Sequence, residues 1–226
     1  MTTRTERPQT HDFDMALGEA VRTQRAIRRL TTEPVGDEIV HDLIELATKA
    51  PTAQNHQSWD FIVVRDQAVK ARLAQLNRRV FRFADKPVAW INRRDESFVR
   101  THRATRHQVD HFEEIPVLIV CCMRNTRHAY LPVLAASSYG SIFPAVQNLL
   151  LGARAAGLGA NLMTMPLTIN FMARRALGIP WRVTPVAIVS LGWPKGRYGP
   201  TTRLPVEAVT HLDRYGNQPW SDGDGP

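Results

Sequence analysis

The sequence passes from a helix to a strand within Ala50-Pro51-Thr52-Ala53-Gln54-Asn55-His56-Gln57-Ser58-Trp59-Asp60-Phe61. Pro51 ends the amphipathic helix before it, because its ring fixes φ and removes a backbone donor. The residues over 51–58 form a polar loop, and a strand is predicted from Trp59 to Val64. Since the residues from Phe61 to Val64 are continuously apolar, we expect this strand to lie at the centre of a sheet.

Hydrophobic periodicity predicts the elements on both sides of this segment. Apolar positions at helical spacing predict helices over 14–26, 36–49, 66–77, 137–156 and 170–177, and the charged segment 78–110 has room for one or two more. Apolar runs predict strands over 117–123 and 182–191 and an extended segment over 161–165. The helix over 137–156 is apolar on nearly every side, which predicts burial in the core or in a subunit interface. Helices mixed with a few non-sequential strands indicate an α+β fold in one domain.

The composition is that of an ordinary globular protein, with 226 residues, 43% hydrophobic and 22% charged. Its apolar runs are too short to span a bilayer, and residues 1–10 lack the apolar core of a secretion signal. We therefore expect a cytoplasmic protein without a membrane partner. The formal net charge of +8 favours anionic partners, which include nucleic acid, membrane surfaces and phosphorylated cofactors.

The two cysteines, Cys121 and Cys122, are adjacent within a predicted strand. Disulfide geometry disfavours a bridge between neighbours. The Cys-x-x-Cys spacing of redox-active pairs is also missing from the sequence. We therefore expect two buried thiols in a reducing compartment, with a redox-active pair as the alternative.

The common catalytic motifs are missing from the sequence, which contains no Gly-x-Ser-x-Gly, His-Glu-x-x-His or Gly-Lys-Ser/Thr. Gly157-Leu158-Gly159 follows a predicted helix rather than a strand, so we interpret it as a helix end and not as a dinucleotide fingerprint. His107 and His111 are four residues apart, a spacing that can bind zinc. Because no Glu or Cys cluster completes that set, we assign no metal site and expect a solvated helix face.

A distributed set of polar residues remains as the candidate site. Arg25 and Arg28 follow the first predicted helix, Arg203 lies near the C-terminus, and the loop over 51–57 is crowded with short hydrogen-bonding side chains. The guanidinium fork matches phosphate oxygens. Amide side chains suit a flat heterocycle with alternating donors and acceptors. Such a set is suited to a mononucleotide cofactor, although scattered arginines and a polar loop are also common on protein surfaces.

These segments resemble the FMN-dependent nitroreductase family. Gln24-Arg25-Ala26-Ile27-Arg28-Arg29-Leu30 is similar to the family's Arg-Arg-Ser-Ile-Arg-x-Phe opening, and residues 50–61 resemble its Ala-Pro-Ser-x-x-Asn-x-Gln-Pro-Trp-x-Phe motif. Further similarity is found in the strand from Pro116 to Val120, in the apolar helix before Gly159, and in the closing segments 192–194 and 203–207. The resemblance covers about residues 16–210, in the family's order.

The resemblance implies a nitroreductase-like fold, in which a mostly antiparallel central sheet is flanked by helices. It also implies an interlocked homodimer that binds FMN in its interface. The single domain over 1–226 would have a core over about 14–210, a variable lid over 78–112 and a C-terminal extension over 193–226. Candidates for an aromatic lid, or for a small satellite core instead, are Phe81, Phe83, Trp90 and Phe98.

Family roles carried over by position give the expected cofactor site. Arg25 and Arg203 would bind the FMN phosphate, and Arg28 would lie near the pyrimidine edge of the ring. The loop over 51–57 would line the ribityl chain and ring, partly from the partner subunit. The full set comprises Arg25, Ala26, Arg28, Pro51, Thr52, Ala53, Asn55, Gln57, Leu162, Met163, Thr164 and Arg203. The chain departs from the family at Gln24, Ala26, Ser58 and Thr201, where Arg, Ser, Pro and Lys are frequent, and these departures weaken two or three cofactor contacts.

The activity implied is a ping-pong electron transfer from NAD(P)H, through flavin N5, to a small acceptor such as a nitroaromatic or a quinone. Arg28 would stabilise the charge of the reduced flavin, and Thr164 would donate a hydrogen bond near N5. The arginines over 93–106 would attract the phosphates of NADPH or form a solvated face. One alternative is another flavin reaction on the same scaffold: dehalogenation, enone reduction or oxidative flavin chemistry. A basic, non-enzymatic nucleic-acid-binding protein is a further alternative, which the absence of a recognised nucleic-acid module disfavours.

Overall fold

The computed structural model describes residues 13–124, 132–218 and 220. Residues 1–12, which precede the first predicted helix, lie outside these residues, and so do 219 and 221–226 of the predicted C-terminal extension. The elements are α1 (Leu17–Thr23), α2 (Asp37–Ala47), β1 (Trp59–Val64), α3 (Gln67–Ile91), α4 (Glu96–Asp110), β2 (Val117–Arg124), α5 (Pro132–Ala155), β3 (Gly159–Met163), α6 (Asn170–Leu177) and β4 (Val183–Gly192). Short 3-10 turns are found at Ala53–Asn55, Phe112–Glu114, Met165–Leu167 and Val206–Val209.

The four strands form one sheet in the order β1-β2-β4-β3, and each pairing is antiparallel. This sheet, with helices on both faces, confirms the α+β prediction. The predicted central position of β1 is wrong, because among the described residues β1 pairs only with β2. Its apolar run has a different cause: Phe61 packs against the core on one face of the sheet, and Ile62 packs against the core on the other.

Two hydrophobic cores lie on opposite faces of the sheet, and β2 contributes to both by alternation. Ile119 and Cys121 face the core that contains α2 and α5, whereas Leu118 and Cys122 face the core that contains α3 and α6. A register shift separates the two cysteines, and both are buried free thiols. The predicted burial of the thiols is confirmed, and their opposite orientations exclude a bridge between them.

The helix predicted over 66–77 is longer than expected, since α3 continues to Ile91. Asp66 caps its first turn by accepting a hydrogen bond from the Val69 amide at 2.8 Å, and the helix continues for one turn beyond Pro87. Asp95 caps α4 in the same way, through the amides of Ser97 and Phe98. The second half of α3 and the whole of α4 account for the helices predicted over 78–110.

The end of α5 is formed by Gly157, whose φ of 75° lies in the left-handed region that favours glycine. The Leu158 amide donates to the Ala153 carbonyl at 2.8 Å, which closes the last turn. The predicted helix end is therefore confirmed. Although α5 is strongly apolar, no helix among the described residues is long and apolar enough to cross a membrane.

Candidate active site

Two segments that are distant in sequence lie side by side at the candidate site. The Thr31 amide donates to the Trp193 carbonyl at 2.8 Å, and the Lys195 amide donates to the Arg29 carbonyl at 3.0 Å. Further along, the Thr201 amide donates to the Arg22 carbonyl at 3.3 Å. These bonds bring the segment after α1 next to the segment after β4, so that the arginines of both lie on one surface.

A glycine seats the first of these segments against the sheet. The Ile27 amide donates to the Ala160 carbonyl at 3.0 Å. A Cβ on Gly159 would lie 2.7 Å from Leu30 Cδ2, 2.8 Å from Ile27 Cγ2 and 3.1 Å from Ile27 Cβ. Only a glycine at this position allows the segment to approach the strand so closely. This approach sets the distance of the neighbouring Arg25 and Arg28 from β3.

The two segments and α4 enclose an open groove of about 750 Å³, which we call the arginine groove. Four of the predicted cofactor residues line it: Arg25, Ala26, Arg28 and Arg203. Seven cationic side chains line it in total, with no acidic residue among the described lining: Arg25, Arg28, Arg29, Arg100, Lys195, Arg197 and Arg203. The groove is therefore an electrostatic site for an anion. Sequence reasoning missed Lys195 and Arg197, which follow Gly192-Trp193-Pro194.

Arg28 is half-buried, and no described residue forms a hydrogen bond or an ion pair with its guanidinium. Burial and the neighbouring positive charge of Arg25 lower the pKa of Arg28 from its ordinary value. An arginine nevertheless stays charged at neutral pH because its unperturbed pKa lies above about 12. A half-buried cation without a counter-ion is costly, so a bound anion beside Arg28 would be stabilising.

Arg28 also lines a second groove, of about 180 Å³, which we call the amide groove. Three predicted cofactor residues, Leu162, Met163 and Thr164, form one side of it. The remaining polar lining consists of neutral side chains: Asn77, Thr105, Gln108 and Asn161. Such hydrogen-bonding groups beside partly buried apolar ones suit a flat polar heterocycle.

A buried hydrogen-bond network fastens α4 to the sheet below the amide groove. Gln108 Nε2 donates to Ser190 Oγ at 3.1 Å, and Asn161 Nδ2 donates to Gln108 Oε1 at 2.9 Å. Ser190 Oγ in turn donates to the Asn161 carbonyl at 3.3 Å. Since α4 supplies residues to both grooves, this network sets the position of their shared wall. Little in the sequence indicated this network, since its only sign on α4 was the amide of Gln108 beside Val109 on a helix rich in charged residues.

The loop over 51–57 lies apart from both grooves of the same chain: Pro51, Thr52, Ala53, Asn55 and Gln57 line neither of them. Within it, Gln54, Asn55 and Gln57 have φ values of 51°, 56° and 47°, in the left-handed region that is uncommon for residues other than glycine and asparagine. The Ala53 amide donates to Ser141 Oγ of α5 at 3.1 Å, and the Gln57 amide donates to Thr52 Oγ1 at 3.2 Å. A strained, exposed loop that is held this firmly is typical of a functional site.

The aromatic residues predicted as a lid are divided in the structure. Phe81 and Phe98 each stack with the His102 ring, at ring-centre distances of 5.7 Å and 5.4 Å, and form a satellite cluster. Phe83 and Trp90 are 90% and 67% exposed. None of these four lines either groove, whereas α4 itself does, through Ser97, Arg100, Thr101, Ala104, Thr105, Gln108 and Val109.

The histidine pair considered for zinc, His107 and His111, lies at the C-terminal end of α4, and the two ring centres are 4.3 Å apart. His111 Nδ1 lies 2.7 Å from a Glu114 carboxylate oxygen. Burial, His111 and the cations Arg29 and Lys195 lower the pKa of His107, which favours its neutral form. His107 therefore adds little positive charge beside Arg28, with which it lines a small cleft.

Comparison with known proteins identifies the class to which this fold and site belong. Residues 21–193 match the model of the nitroreductase family, so the chain belongs to that family of oxidoreductases. An NADH dehydrogenase of Thermus thermophilus is 27% identical, over 82% of this chain and 90% of its own. The iodotyrosine deiodinase of Drosophila melanogaster is 26% identical over 79% of this chain, which spans 62% of that protein.

The fold is shared with solved structures of the same class. The NADPH:FMN oxidoreductase of Vibrio harveyi, solved in complex with NAD⁺, superposes with a TM-score of 0.67 and 21% identity. The superposition covers 87% of this chain and 76% of the other. The nitroreductase-like fold expected from the sequence is thereby confirmed.

Proposed function

We propose that this protein is an FMN-dependent NAD(P)H oxidoreductase that reduces a small acceptor by a ping-pong mechanism. The observation that carries the proposal is the position of Arg28, a half-buried and unpaired guanidinium that lines the arginine groove and the amide groove alike. A ligand with a phosphate at one end and a polar ring at the other would extend across both grooves and neutralise Arg28 between them.

The arginine groove fits the phosphate end of such a ligand. Arg25 and Arg203 offer guanidinium forks to its oxygens, and Lys195 adds an ammonium donor. Many family members have a phosphate-binding lysine at the position of Thr201. The ammonium group of Lys195 is suited to that role in this chain. Thr201 donates instead to the Arg22 carbonyl at 3.2 Å, so its hydroxyl proton is already used within the chain. A volume of about 750 Å³ lies within the range of ordinary ligand sites, about 300–1,000 Å³.

The amide groove fits the ring end, and bound FMN would supply the redox chemistry between NAD(P)H and the acceptor. The protein's own residues would bind and orient the ring. Leu162 and Met163 offer an apolar surface, and Thr164 is exposed at the end of β3, where its backbone and hydroxyl can donate. The fixed charge of Arg28 would favour whichever state of the ligand carries more negative charge.

The strained loop over 51–57 supports the further proposal of a homodimer in which each subunit completes its partner's site. Large apolar side chains are exposed on α1, on α5 and on the segment after β4: Leu17, Val21, Tyr139, Phe143, Leu204, Val206, Val209, Leu212, Tyr215 and Trp220. Tyr139 and Phe143 stack at 6.0 Å on α5, the helix that also anchors the loop through Ser141. A second copy of the chain that covers α5 would carry its own loop to this surface.

The visible absorption spectrum of protein reconstituted with FMN tests this proposal. We expect a flavin band that remains after desalting and bleaches when NADPH is added without oxygen. An Arg28→Gln variant should retain much less FMN, whereas Arg103→Ala, an equal loss of charge on α4 outside the grooves, should retain it fully. A wild-type protein that retains no flavin, or a loss that is the same for both variants, would overturn the proposal.

A second flavin reaction, reductive dehalogenation, is favoured by one observation, the similarity to iodotyrosine deiodinase. The scaffold would be the same, and the acceptor would differ. Re-oxidation of the reduced protein by a nitroaromatic, by a quinone and by 3-iodotyrosine separates these functions. Fast re-oxidation by iodotyrosine, with release of iodide and slow reaction of the other two, would replace the first proposal with the second.

A further inference from the structure

The arginine groove carries more positive charge than one cofactor phosphate can neutralise. A phosphate monoester carries about −1.5 to −2 charges at pH 7. Seven cationic side chains line the groove, and no acidic side chain is among its described lining residues. The surplus is a fixed field in a partly enclosed site, so a second anion would be attracted there once the first is bound.

The excess of positive charge includes the wall of the groove that α4 forms. Arg100 lies on this wall between two hydroxyl side chains, Ser97 and Thr101. Its one described ion-pair partner is Glu96, at 3.9 Å, and the two side chains are 74% and 93% exposed. An ion pair this long and this exposed contributes little, so Arg100 is free to bind a ligand.

We propose that the α4 wall, through Arg100, Ser97 and Thr101, binds the 2′-phosphate of NADPH and so selects NADPH over NADH. This inference rests on the proposed function, in which a nicotinamide cofactor is the reductant. The two nicotinamide cofactors share a pyrophosphate and differ only in the 2′-phosphate, a monoester that matches one guanidinium fork and two hydroxyl donors. No acidic side chain among the described lining neutralises the excess positive charge of the groove. This excess favours NADPH, which carries the additional 2′-phosphate.

Binding of adenosine 2′,5′-bisphosphate and of 5′-AMP to the FMN-saturated protein tests the inference without measuring activity. We expect calorimetry to show about tenfold tighter binding of the bisphosphate, as a charge-assisted contact worth about 1.4 kcal/mol would give. Arg100→Ala should abolish this difference. Arg103→Ala removes the same charge one turn along α4, outside the groove, and should leave the difference intact.

The rate of anaerobic flavin reduction provides a second measurement. In Arg100→Ala we expect kcat/KM for NADPH to fall about tenfold and that for NADH to change by less than about twofold, since NADH lacks the contacted group. Equal binding of the two adenosine nucleotides, or an equal fall for both reductants in Arg100→Ala, would overturn the inference. Failure to bind FMN would instead overturn the proposed function. The calorimetric comparison, run then on the unloaded protein, would still decide whether Arg100 reads a 2′-phosphate.

Discussion

The guanidinium carbon of Arg154 lies 4.1 Å from the centre of the Tyr198 ring, at the point where three parts of the chain meet. Arg154 is in the last turn of α5, and its Nε donates to Thr23 Oγ1 of α1 at 2.8 Å. The Tyr198 hydroxyl donates to the carbonyl of Leu158, just before β3. Burial raises the pKa of Tyr198 to about 12, so the hydroxyl remains a donor throughout the neutral range. The junction anchors the segment that carries Lys195, Arg197 and Arg203.

Replacing Tyr198 with Phe keeps the ring under Arg154 but leaves the Leu158 carbonyl without its donor. We expect the free energy of unfolding to fall by about 1 kcal/mol, the usual net value of a partly buried hydrogen bond. We also expect FMN to bind several-fold more weakly, because the arginine groove loses an anchor. Denaturant titration and FMN titration measure these two effects. Tyr215→Phe is the matched control: it removes the same hydroxyl from a ring that is 94% exposed and keeps that apolar ring on the proposed dimer surface, so it should change neither.

Gly159→Ala tests how closely the segment over 25–28 is seated on β3. The new Cβ would meet Leu30 Cδ2, which can move, but also the stiff, β-branched Ile27 at its Cβ and Cγ2. We expect a loss of about 1–3 kcal/mol in the free energy of unfolding, together with weaker FMN binding as Arg25 and Arg28 are displaced. Gly196→Ala, where nothing lies within 4 Å of the new Cβ, should stay within about 0.5 kcal/mol of wild type. Equal stability of the two variants would show that the close approach carries no constraint.

Most of the fold could be predicted because the spacing of apolar residues along a helix or strand indicates which of its faces are buried. β2 and β4 are buried on both faces, and their apolar runs indicated this. The same signal misplaced β1, since a strand at the edge of a sheet that is covered by helices on both faces has the same pattern as a central one. The helix predicted to end at residue 77 continues to Ile91, because the charged and aromatic residues that follow are ordinary helix formers and contain no stop signal before Pro87.

The candidate site was only partly predictable, for a physical reason. Arg25, Arg28 and Arg203 could be found because a guanidinium is recognisable as a phosphate ligand wherever it stands. Gln108 and Asn161 could not be found in this way. The role of a buried amide depends on its hydrogen-bond partner, and these two partners lie 53 positions apart in sequence. The concentration of positive charge in the arginine groove could likewise not be predicted from the sequence, because it depends on the segments after α1 and β4 lying side by side.

Gln54→Gly tests the strain in the loop over 51–57. Gln54 has a φ of 51°, which costs a residue with a Cβ about 1–2 kcal/mol relative to right-handed backbone. Because glycine also increases the entropy of the unfolded chain, we expect a net gain of about 0.5–1 kcal/mol in the free energy of unfolding. The same substitution at Gln75, inside α3, should lose about 1 kcal/mol. A destabilised Gln54→Gly variant would contradict the assignment of strain to this residue.

Thiol titration tests the burial of Cys121 and Cys122. Burial is the main cause that raises the pKa of each thiol to about 12, so at pH 8 only about one in 10⁴ would be thiolate, the reactive form. We expect the native protein to react with neither thiol over hours and the guanidinium-unfolded protein to release two equivalents of chromophore from an aromatic disulfide reagent at once. Rapid labelling of one thiol in the native state would favour the redox-active alternative.

A mixed dimer tests whether the loop over 51–57 completes the site of the partner subunit. Arg28→Gln and Asn55→Gly are each expected to weaken FMN retention in their own homodimers, and glycine at position 55 suits the left-handed φ of 56°. If the loop acts in trans, a heterodimer of the two variants has one intact site and one doubly altered site, and should retain one FMN per dimer after desalting. If the loop acts in cis, both sites of the heterodimer are singly altered and none should be retained. Light scattering on the same samples gives the mass of the assembly, and a monomeric mass would refute the shared site directly.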